Sequence, residues 1–371
     1  MNADVIVVGS GIVGMASAWA ALQQGLRVTV IDQDPVCVGA SIRNFGFVTV
    51  TGQGSGDCWR RARRSRDIWA ELAPRAGIEV VHQGLWVLAQ REQARDVLQE
   101  LCTRQEGREL QWLQAEVLHE RAPQVVRPHV LGALYSPHEI RIESRTAVEQ
   151  LRQWLAAQGV CFHMGLAVQR VQAGEVHTTD AVLRAPRIAV CQGPQLRTLF
   201  PSVFERRRTR LCQLQMLRVQ PPPGFRLPAA MMSDLSLVRY RGYCEMPSAG
   251  RLAARLAQEA APELAEGIHL IVVQSADGSL VVGDSHHYGA ALPPFASAHV
   301  EQLILKEMQR MLALDHYEVL ERWTGIYPSG DDDAFIETVL PGVQLISVTS
   351  GTGMSTAFAL AEDWIDSWEN P

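Results

Sequence analysis

A glycine-rich turn near the start of the chain limits the fold more than any other feature of the sequence. Residues 4–8 (DVIVV) are apolar and β-branched after Asp4, which is typical of a strand buried on both faces of a parallel sheet. Residues 9–14 (GSGIVG) follow at once, and an alanine-rich segment predicts a helix over residues 15–24. A second apolar strand, residues 26–31, ends at Asp32. Strand, turn, helix, strand and acid in this order predict a Rossmann-like dinucleotide-binding unit.

The residues of this first turn have separate expected roles. Gly9 permits the tight turn, Gly11 lets the backbone approach a pyrophosphate, and Gly14 lets the helix pack on the strand. The N–H groups at the start of the helix would bind the anion, and Asp32 would accept hydrogen bonds from ribose hydroxyls. Both FAD and NAD use this motif, so it does not choose between them. The expected contacts are Gly9, Gly11, Ile12, Val13, Gly14, Asp32 and Gln33.

The segment that follows the second strand favours FAD. An NAD enzyme would usually continue here with another helix and strand, whereas residues 38–48 form a loop of small and polar residues near the pyrophosphate end of the site. Its side chains can donate hydrogen bonds, and its glycines let a cofactor lie against the backbone. A surface loop without a ligand is the alternative. The expected contacts are Ala40, Ser41, Arg43, Asn44 and Gly46.

A second glycine turn lies near the end of the chain. Residues 343–348 read as a strand, residues 349–353 (TSGTG) as a turn, and residues 354–364 as an apolar helix. The electropositive start of such a helix suits the flavin edge on which negative charge accumulates during reduction. A last strand–helix unit of the sheet would explain the helix but not the two clustered glycines. The expected contacts are Gly351, Gly353, Met354 and Ser355.

With these two turns, the chain resembles the D-amino-acid oxidase, glycine oxidase and sarcosine oxidase superfamily of FAD-dependent oxidoreductases over essentially its whole length. In that family the backbone at the position of Val168 contacts adenine, and the strand that ends at Gly193 carries an Ala-Thr-Gly motif. This chain has Gln192 in place of the usual threonine. Residues 39–46, together with Gln53, look most like a subgroup linked to aminophosphonate breakdown.

The resemblance implies an α/β fold with an α+β second domain. Residues 1–75, 143–203 and 322–371 would form a Rossmann-like FAD-binding domain. Residues 76–142 and 204–321 would form a discontinuous substrate domain built on an antiparallel sheet. Short apolar strands at residues 84–89, 213–219, 268–273 and 279–283 are consistent with such a sheet.

Composition limits partners and cofactors. The net charge of −6, from 34 basic and 40 acidic residues, argues against a nucleic-acid partner. Seven scattered cysteines, without a Cys-x-x-Cys pair, predict reduced thiols in a cytoplasmic protein without a metal site. No apolar run is long enough to span a membrane. No cysteine follows Trp323, so non-covalent FAD is expected.

Two segments are candidates for the face that meets the substrate. Residues 280–288 (LVVGDSHHY) place two histidines at the end of a predicted strand, where alternation lets only one of them face a flavin. A histidine there could bind an anion when protonated, or accept a proton from a substrate ammonium when neutral, although a hydrogen-bonded structural histidine is the alternative.

The second segment, residues 323–329 (WTGIYPS), departs from the family. D-amino-acid and glycine oxidases have Gly-x-Arg-Pro here, and the arginine binds the substrate carboxylate, whereas this chain has Tyr327. A phenol donates one neutral hydrogen bond where a guanidinium would make two charged ones. The departure favours an amine with its anionic group elsewhere, such as an aminophosphonate, bound by Arg43, the histidines, Arg239 or Arg241. The predicted catalytic residues are His286, His287 and Tyr327.

The predicted function is therefore an FAD-dependent amine oxidoreductase. It would transfer a hydride from the carbon beside nitrogen of a small amine to flavin N5, and the imine would then hydrolyse. Oxygen or another acceptor would reoxidise the flavin. The alternatives are a glycine, D-amino-acid or N-methyl amino-acid oxidase, an NAD(P)-dependent dehydrogenase, and a flavin-binding partner subunit without catalysis.

Overall fold

The computed structural model describes residues 3–123 and 125–368, which form a mixture of helices and strands. Among these residues the helices α1 to α11 are Ile12–Gln23, Asp57–Arg75, Glu92–Leu101, Ala115–Arg121, Ser144–Ala157, Pro201–Arg206, Arg241–Cys244, Ala249–Glu259, Ala261–Ala265, Ala298–Met311 and Gly353–Asp366. The strands β1 to β18 are Val5–Val8, Val28–Asp32, Phe47–Val48, Val80–Ala89, Gln111–Gln114, Gly132–Ile142, Cys161–Met164, Val168–Gln172, Glu175–Thr178, Val182–Arg184, Arg187–Val190, Arg210–Gln220, Ala230–Met232, Ile271–Gln274, Leu280–Gly283, His287–Gly289, Glu318–Leu340 and Val343–Ser350.

Five parallel strands form the nucleotide-binding part of the sheet, in the order β18-β11-β1-β2-β7. Strand β1 is buried on both faces. Val5 and Val7 pack with α1, α2, α5 and α11, whereas Ile6 and Val8 pack with α6 and the small sheet β8–β9–β10. Two covered faces are what the continuous apolar run of β1 requires. The Rossmann-like part of the predicted fold is confirmed.

The second part of the sheet is mostly antiparallel. Its order is β3-β6-β4-β13-β14-β15-β12-β17, and only β4 and β13 pair in parallel. Helices α3, α8 and α10 cover it and share its core. The α+β character expected of this part is therefore also confirmed.

A single long strand joins the two parts. Residues 318–329 of β17 pair with β12, and residues 329–340 pair with β18, both antiparallel. The described residues thus share one sheet of 15 strands. The predicted domain boundaries remain a prediction, because β17 runs from one part of the sheet into the other.

The topology brings the two glycine turns to the same edge. Strands β1 and β18 are both parallel to β11, so the turns that follow them leave the sheet at their carboxyl ends. Ligands of parallel sheets bind outside this edge. Among the described residues, none of the helices has both the length and the apolar character needed to cross a membrane.

A substitution of Phe358 tests how α11 packs on the nucleotide-binding part of the sheet. Its buried ring makes edge contacts with Trp19 and Trp69, at centroid distances of 5.3 and 5.0 Å. We expect Phe358→Ala to lower the free energy of unfolding by about 3–5 kcal/mol in urea denaturation, because it leaves a cavity. The control Phe295→Ala removes a ring that is 82% exposed, and it should change stability by less than about 0.5 kcal/mol. Equal effects of the two substitutions would contradict this packing.

Candidate active site

A cavity of about 410 Å³ lies where the two parts of the sheet meet. Its lining includes the start of α1, two residues of the 3-10 turn Ala40–Ile42, and residues that follow β15. The predicted site residues that line it are Gly11, Ile12, Val13, Ala40, Ser41, Arg43, Asn44, Gly193, His286, Tyr327, Gly351, Gly353, Met354 and Ser355.

The first turn is shaped by contacts that exclude side chains. Gly9 has a φ of +105°, and a Cβ there would overlap the carbonyl oxygen of Cys191. A Cβ on Gly14 would overlap the carbonyl oxygen of Gly9. The residue before α1, Gly11, offers no side chain to cap the helix. The start of α1 therefore lines the cavity without a capping side chain of its own, which suits an anionic ligand.

Ser41 and Asn44 fix the loop beside this turn. The Ser41 hydroxyl accepts a hydrogen bond from the backbone N–H of Ile12 at 2.9 Å. The Asn44 amide donates to the carbonyls of Ala40 and Ser41, both at 2.9 Å, and accepts from the N–H of Gly46 at 2.7 Å. Both polar side chains thus hold the loop, so they serve the predicted cofactor site through its backbone shape.

Six predicted cofactor contacts lie outside the cavity: Gly9, Gly14, Asp32, Gln33, Gly46 and Val168. One oxygen of Asp32 accepts from the N–H and the hydroxyl of Ser10, at 2.6 and 2.7 Å. Its carboxylate therefore holds the first turn, and its contact with ribose stays a prediction, as do the roles of Gln33 and Val168.

Gly46, which lies outside the cavity, has a packing role. A Cβ at this position would overlap the carbonyl oxygen of Ile142 at the end of β6. Its φ is +61°, a value that side chains rarely adopt. The glycine lets the loop pack closely against the strand.

Tyr327 and Gly351 face each other at the second turn. Gly351 has a φ of +76°, and a Cβ on it would lie 2.9 Å from the phenol ring of Tyr327. Burial raises the pKa of Tyr327 well above its ordinary value, so the phenol stays neutral. The side chain that replaces the family's arginine therefore lines the cavity as a neutral group.

Of the two adjacent histidines, only His286 lines the cavity. Its Nδ1 lies 2.9 Å from the carbonyl oxygen of Gly267, and its side chain is buried. His287 points away, and its Nε2 contacts a carboxylate oxygen of Glu266 at 2.7 Å. His287 begins β16, and adjacent side chains along a strand point to opposite sides, which is consistent with this divergence. The prediction of a catalytic role for His287 has no support from this arrangement.

His269 and Asp284 join His286 in a buried cluster that the sequence analysis missed. One carboxylate oxygen of Asp284 lies 3.1 Å from His269 Nε2, and the other lies 3.8 Å from His286 Nε2. Burial raises the pKa of Asp284 to about 7 and lowers the pKa of both histidines well below its ordinary value. The two short apolar strands at residues 271–274 and 280–283 could have indicated this cluster. They pair as an antiparallel hairpin with Ile271 opposite Gly283, which brings His269 close to Asp284.

Arg239 is a free cation in the same cavity. Its guanidinium donates a hydrogen bond to the Tyr288 hydroxyl at 2.9 Å. Arg241 also lines the cavity, but it pairs with Asp333 at 3.2 Å. Among the residues that the structure describes, neither Arg239 nor Arg43 has a carboxylate within 4 Å. The cavity therefore holds two guanidinium groups that can bind an anionic ligand.

A family model described as FAD dependent oxidoreductase matches residues 4–366. The chain belongs to this FAD-dependent oxidoreductase family. It is 24% identical over 376 residues to one of the opine oxidase subunits of Rhizobium meliloti, covering 96% of this chain and 91% of that protein. It is 27% identical over 211 residues to N-methyl-L-tryptophan oxidase of Yersinia pestis, covering 55% of this chain and 57% of that protein.

The fold is also shared with a solved structure, glycine oxidase from Bacillus cereus. The TM-score is 0.79 at 16% identity, covering 99% of this chain and 95% of that chain. This FAD-dependent oxidoreductase is therefore an enzyme that uses FAD, as predicted. The two glycine turns fit the cofactor, because both line the cavity and each leads into a helix whose N-cap residue makes no side-chain cap hydrogen bond.

A substitution of Gly14 tests whether the first glycine turn of this oxidoreductase binds FAD. We expect Gly14→Ala to weaken FAD binding at least about tenfold, because relieving the overlap with Gly9 would cost about 1–3 kcal/mol. The measurement is the ratio of flavin to protein absorbance after purification, followed by titration with FAD. Gly250→Ala on the exposed face of α8 meets open space, and it should keep the wild-type ratio. An unchanged flavin content in Gly14→Ala would contradict the expected role of this turn.

Proposed function

We propose that this enzyme oxidises the C–N bond of a small amine that carries an anionic group, and that Arg239 binds this group. One observation carries the proposal: Arg239 lines the cavity, and among the described residues no carboxylate lies within 4 Å of its guanidinium. A partly buried cation that makes no direct ion pair is costly, and an anionic ligand in contact with it would reduce that cost.

Arg239 would take over the anion-binding role of the arginine that the family has at the position of Tyr327. Tyr327, at that position, is neutral and cannot form two charged hydrogen bonds. Arg239 follows the 3-10 turn Asp234–Val238, so it reaches the cavity from a different element than the β17 arginine of the family. The anionic group would thus be held at another point of the cavity, as expected for an amine that is not a plain α-amino acid.

The substrate class is an amine with a strongly anionic or a second anionic group. Arg43 gives the cavity a second unpaired guanidinium, and Arg43 and Arg239 together suit the two negative charges of an aminophosphonate. They would equally suit an amine with two carboxylates, and the relative from Rhizobium meliloti is named an opine oxidase subunit. The shared chemistry is an amine with about two negative charges beside it.

FAD, when bound, supplies the hydride acceptor. The residues of the chain hold the substrate still, because a hydride transfer depends on the position of the reacting C–H bond. Arg239 and Arg43 would bind the anionic part, and the neutral Tyr327 and Tyr288 would donate single hydrogen bonds. Apolar Leu214 and Ile271 line the same cavity and exclude water from part of it.

An anaerobic titration of the purified flavoprotein tests the proposal. The panel is an aminoalkylphosphonate, an opine, glycine, D-alanine and an alkylamine of the same length as the aminoalkylphosphonate. We expect the phosphonate or the opine to bleach the flavin, and the matched alkylamine to do so on the order of 100-fold less efficiently, because it cannot bind Arg239.

Each other outcome removes a defined part of the proposal. Bleaching by glycine or D-alanine alone would exclude the aminophosphonate. Equal bleaching by the charged amine and the alkylamine would exclude an anion site at Arg239. A flavin that no amine bleaches would favour the alternative of a flavin-binding partner subunit.

Arg239→Gln gives the matching test on the protein. We expect kcat/KM for an anionic amine to fall on the order of 100-fold, mainly through KM, because a charge-assisted contact to the substrate is lost. Arg239→Lys keeps the charge but not the forked geometry, and it should recover only part of the loss. Arg226→Gln, an exposed arginine away from the cavity, is the control and should match wild type. The assignment of Arg239 fails if KM is also unchanged in Arg239→Gln.

A further inference from the structure

We propose that His286 and Asp284, positioned by His269, form a proton acceptor that deprotonates the substrate ammonium before the C–N bond is oxidised. The inference rests on the proposed function, because it assigns the proton step of that reaction to named residues. The amine must be neutral when it reacts, since an ammonium nitrogen has no lone pair with which to form the C=N bond. A group in the cavity has to receive that proton.

The hydrogen bond of His286 leaves one ring nitrogen ready to accept. Nδ1 lies 2.9 Å from the carbonyl oxygen of Gly267, and a carbonyl only accepts, so Nδ1 carries the hydrogen. In the neutral ring, Nε2 then carries a lone pair. The nearest oxygen of Asp284 is 3.8 Å from Nε2, which is too far for a hydrogen bond. The lone pair is therefore free for a substrate proton.

Asp284 supplies the charge that stabilises the transferred proton. Its carboxylate is buried, and its Oδ1 has no hydrogen-bond partner of good geometry among the described residues. A buried and poorly solvated anion attracts a proton or a cation strongly. When the substrate proton moves to His286 Nε2, the imidazolium forms beside this carboxylate, and the two charges offset each other.

His269 positions Asp284 by packing beside it. Its Nε2 lies 3.1 Å from Asp284 Oδ1 without the geometry of a hydrogen bond, and its ring packs at 4.7 Å from the ring of His286 and at 5.2 Å from that of Tyr240. Burial lowers the pKa of His269 well below its ordinary value, so the ring is neutral and serves as a positioning residue.

The other charged and titratable groups around the cluster leave it able to take a proton. Arg239 is the cation that faces it, and its field favours the ionised form of Asp284. Tyr240, Tyr288 and Tyr327 face it as neutral phenols at neutral pH, because burial raises their pKa values. Glu266 is occupied by His287 on the far side. The burial of Asp284 outweighs the field of Arg239, so its pKa is raised to about 7.

The atoms and electrons of the step balance. The N–H bond of the ammonium breaks, its proton joins His286 Nε2, and the electron pair stays on nitrogen. That pair then forms the C=N bond while the C–H electron pair and its hydrogen leave together as hydride to FAD. The net charge of His286 and Asp284 changes from −1 to 0.

The pH dependence of flavin reduction tests the assignment. Below pH 7, Asp284 already carries a proton and the cluster cannot accept another one, so we expect the second-order rate constant to rise about tenfold per pH unit and to level off above pH 7. In Asp284→Asn the plateau should vanish, and the rate constant should keep rising towards the pKa of the free amine. At pH 8 it should be lower on the order of 100-fold. His286→Gln should behave alike, and His299→Gln on the exposed face of α10 should keep the wild-type profile.

A count of released protons gives a readout without turnover. The probe is an analogue of the substrate whose α-carbon carries two methyl groups and no hydrogen, so that it binds and is not oxidised. Calorimetric titration at pH 8 in two buffers of different ionisation enthalpy should show almost no proton released by wild type, because the proton stays on the cluster. Asp284→Asn should release about one proton per analogue bound, because the proton has to leave for solvent.

Three outcomes would overturn the proposal. These are an Asp284→Asn enzyme with the wild-type pH profile, a wild-type enzyme that releases a full proton at pH 8, and a wild-type profile that disappears after dialysis against EDTA. The last result would show a metal ion on the same three side chains, whose ligand atoms all lie within 4.8 Å of one another. Flavin reduction by the amine would survive the first two results, so the proposed function is tested separately. If Asp284→Asn did not retain FAD, the pH profile of His286→Gln and the number of protons released by wild type would still test the proposed proton acceptor.

Discussion

The backbone pairing of β17 with both β12 and β18 is the constraint on which the site depends. One strand supplies hydrogen bonds to the antiparallel part along its first half and to the nucleotide-binding part along its second half. The two parts therefore cannot shift against each other without breaking a ladder. Tyr327 lies near the point where the strand changes partners, so the cavity forms at the junction. The glycine turns come from one part of the sheet and His286 from the other.

The local features of the site could be predicted from the sequence, because they need only neighbouring residues. The first glycine turn, its flanking strands and the turn before α11 follow from runs of fewer than about 15 residues. Tyr327 could be identified because it stands where the short family motif Gly-x-Arg-Pro has its arginine. The cluster of His269 and Asp284 could not be found this way, because it depends on the register between two strands. Among the described residues, no carboxylate lies within 4 Å of the Arg239 guanidinium. This property depends on where the acidic side chains lie in the folded chain, so it could not be predicted from the sequence.

The length of β17 also could not be predicted from the sequence. Pro328, Gly330 and three consecutive aspartates interrupt the run of strand-forming residues and favour a turn. The strand continues through them because its partner changes there, and the register shift between Ser329 and Ala334 takes up the irregular segment. Two of these aspartates pair with Arg207 and Arg208, and the third pairs with Arg241. Long-range pairing thus overrides local preference at this point of the chain.

The close approach of the Tyr327 ring to Gly351 couples two positions that are 24 residues apart. A larger residue at position 351 would displace the phenol, and a longer side chain at position 327 would have to pass over a turn that admits no Cβ. The constraint runs mainly in one direction, because smaller residues at position 327 would leave the glycine turn undisturbed. A side chain at position 351 would first need a smaller residue at position 327, so the order in which the two positions can change is fixed.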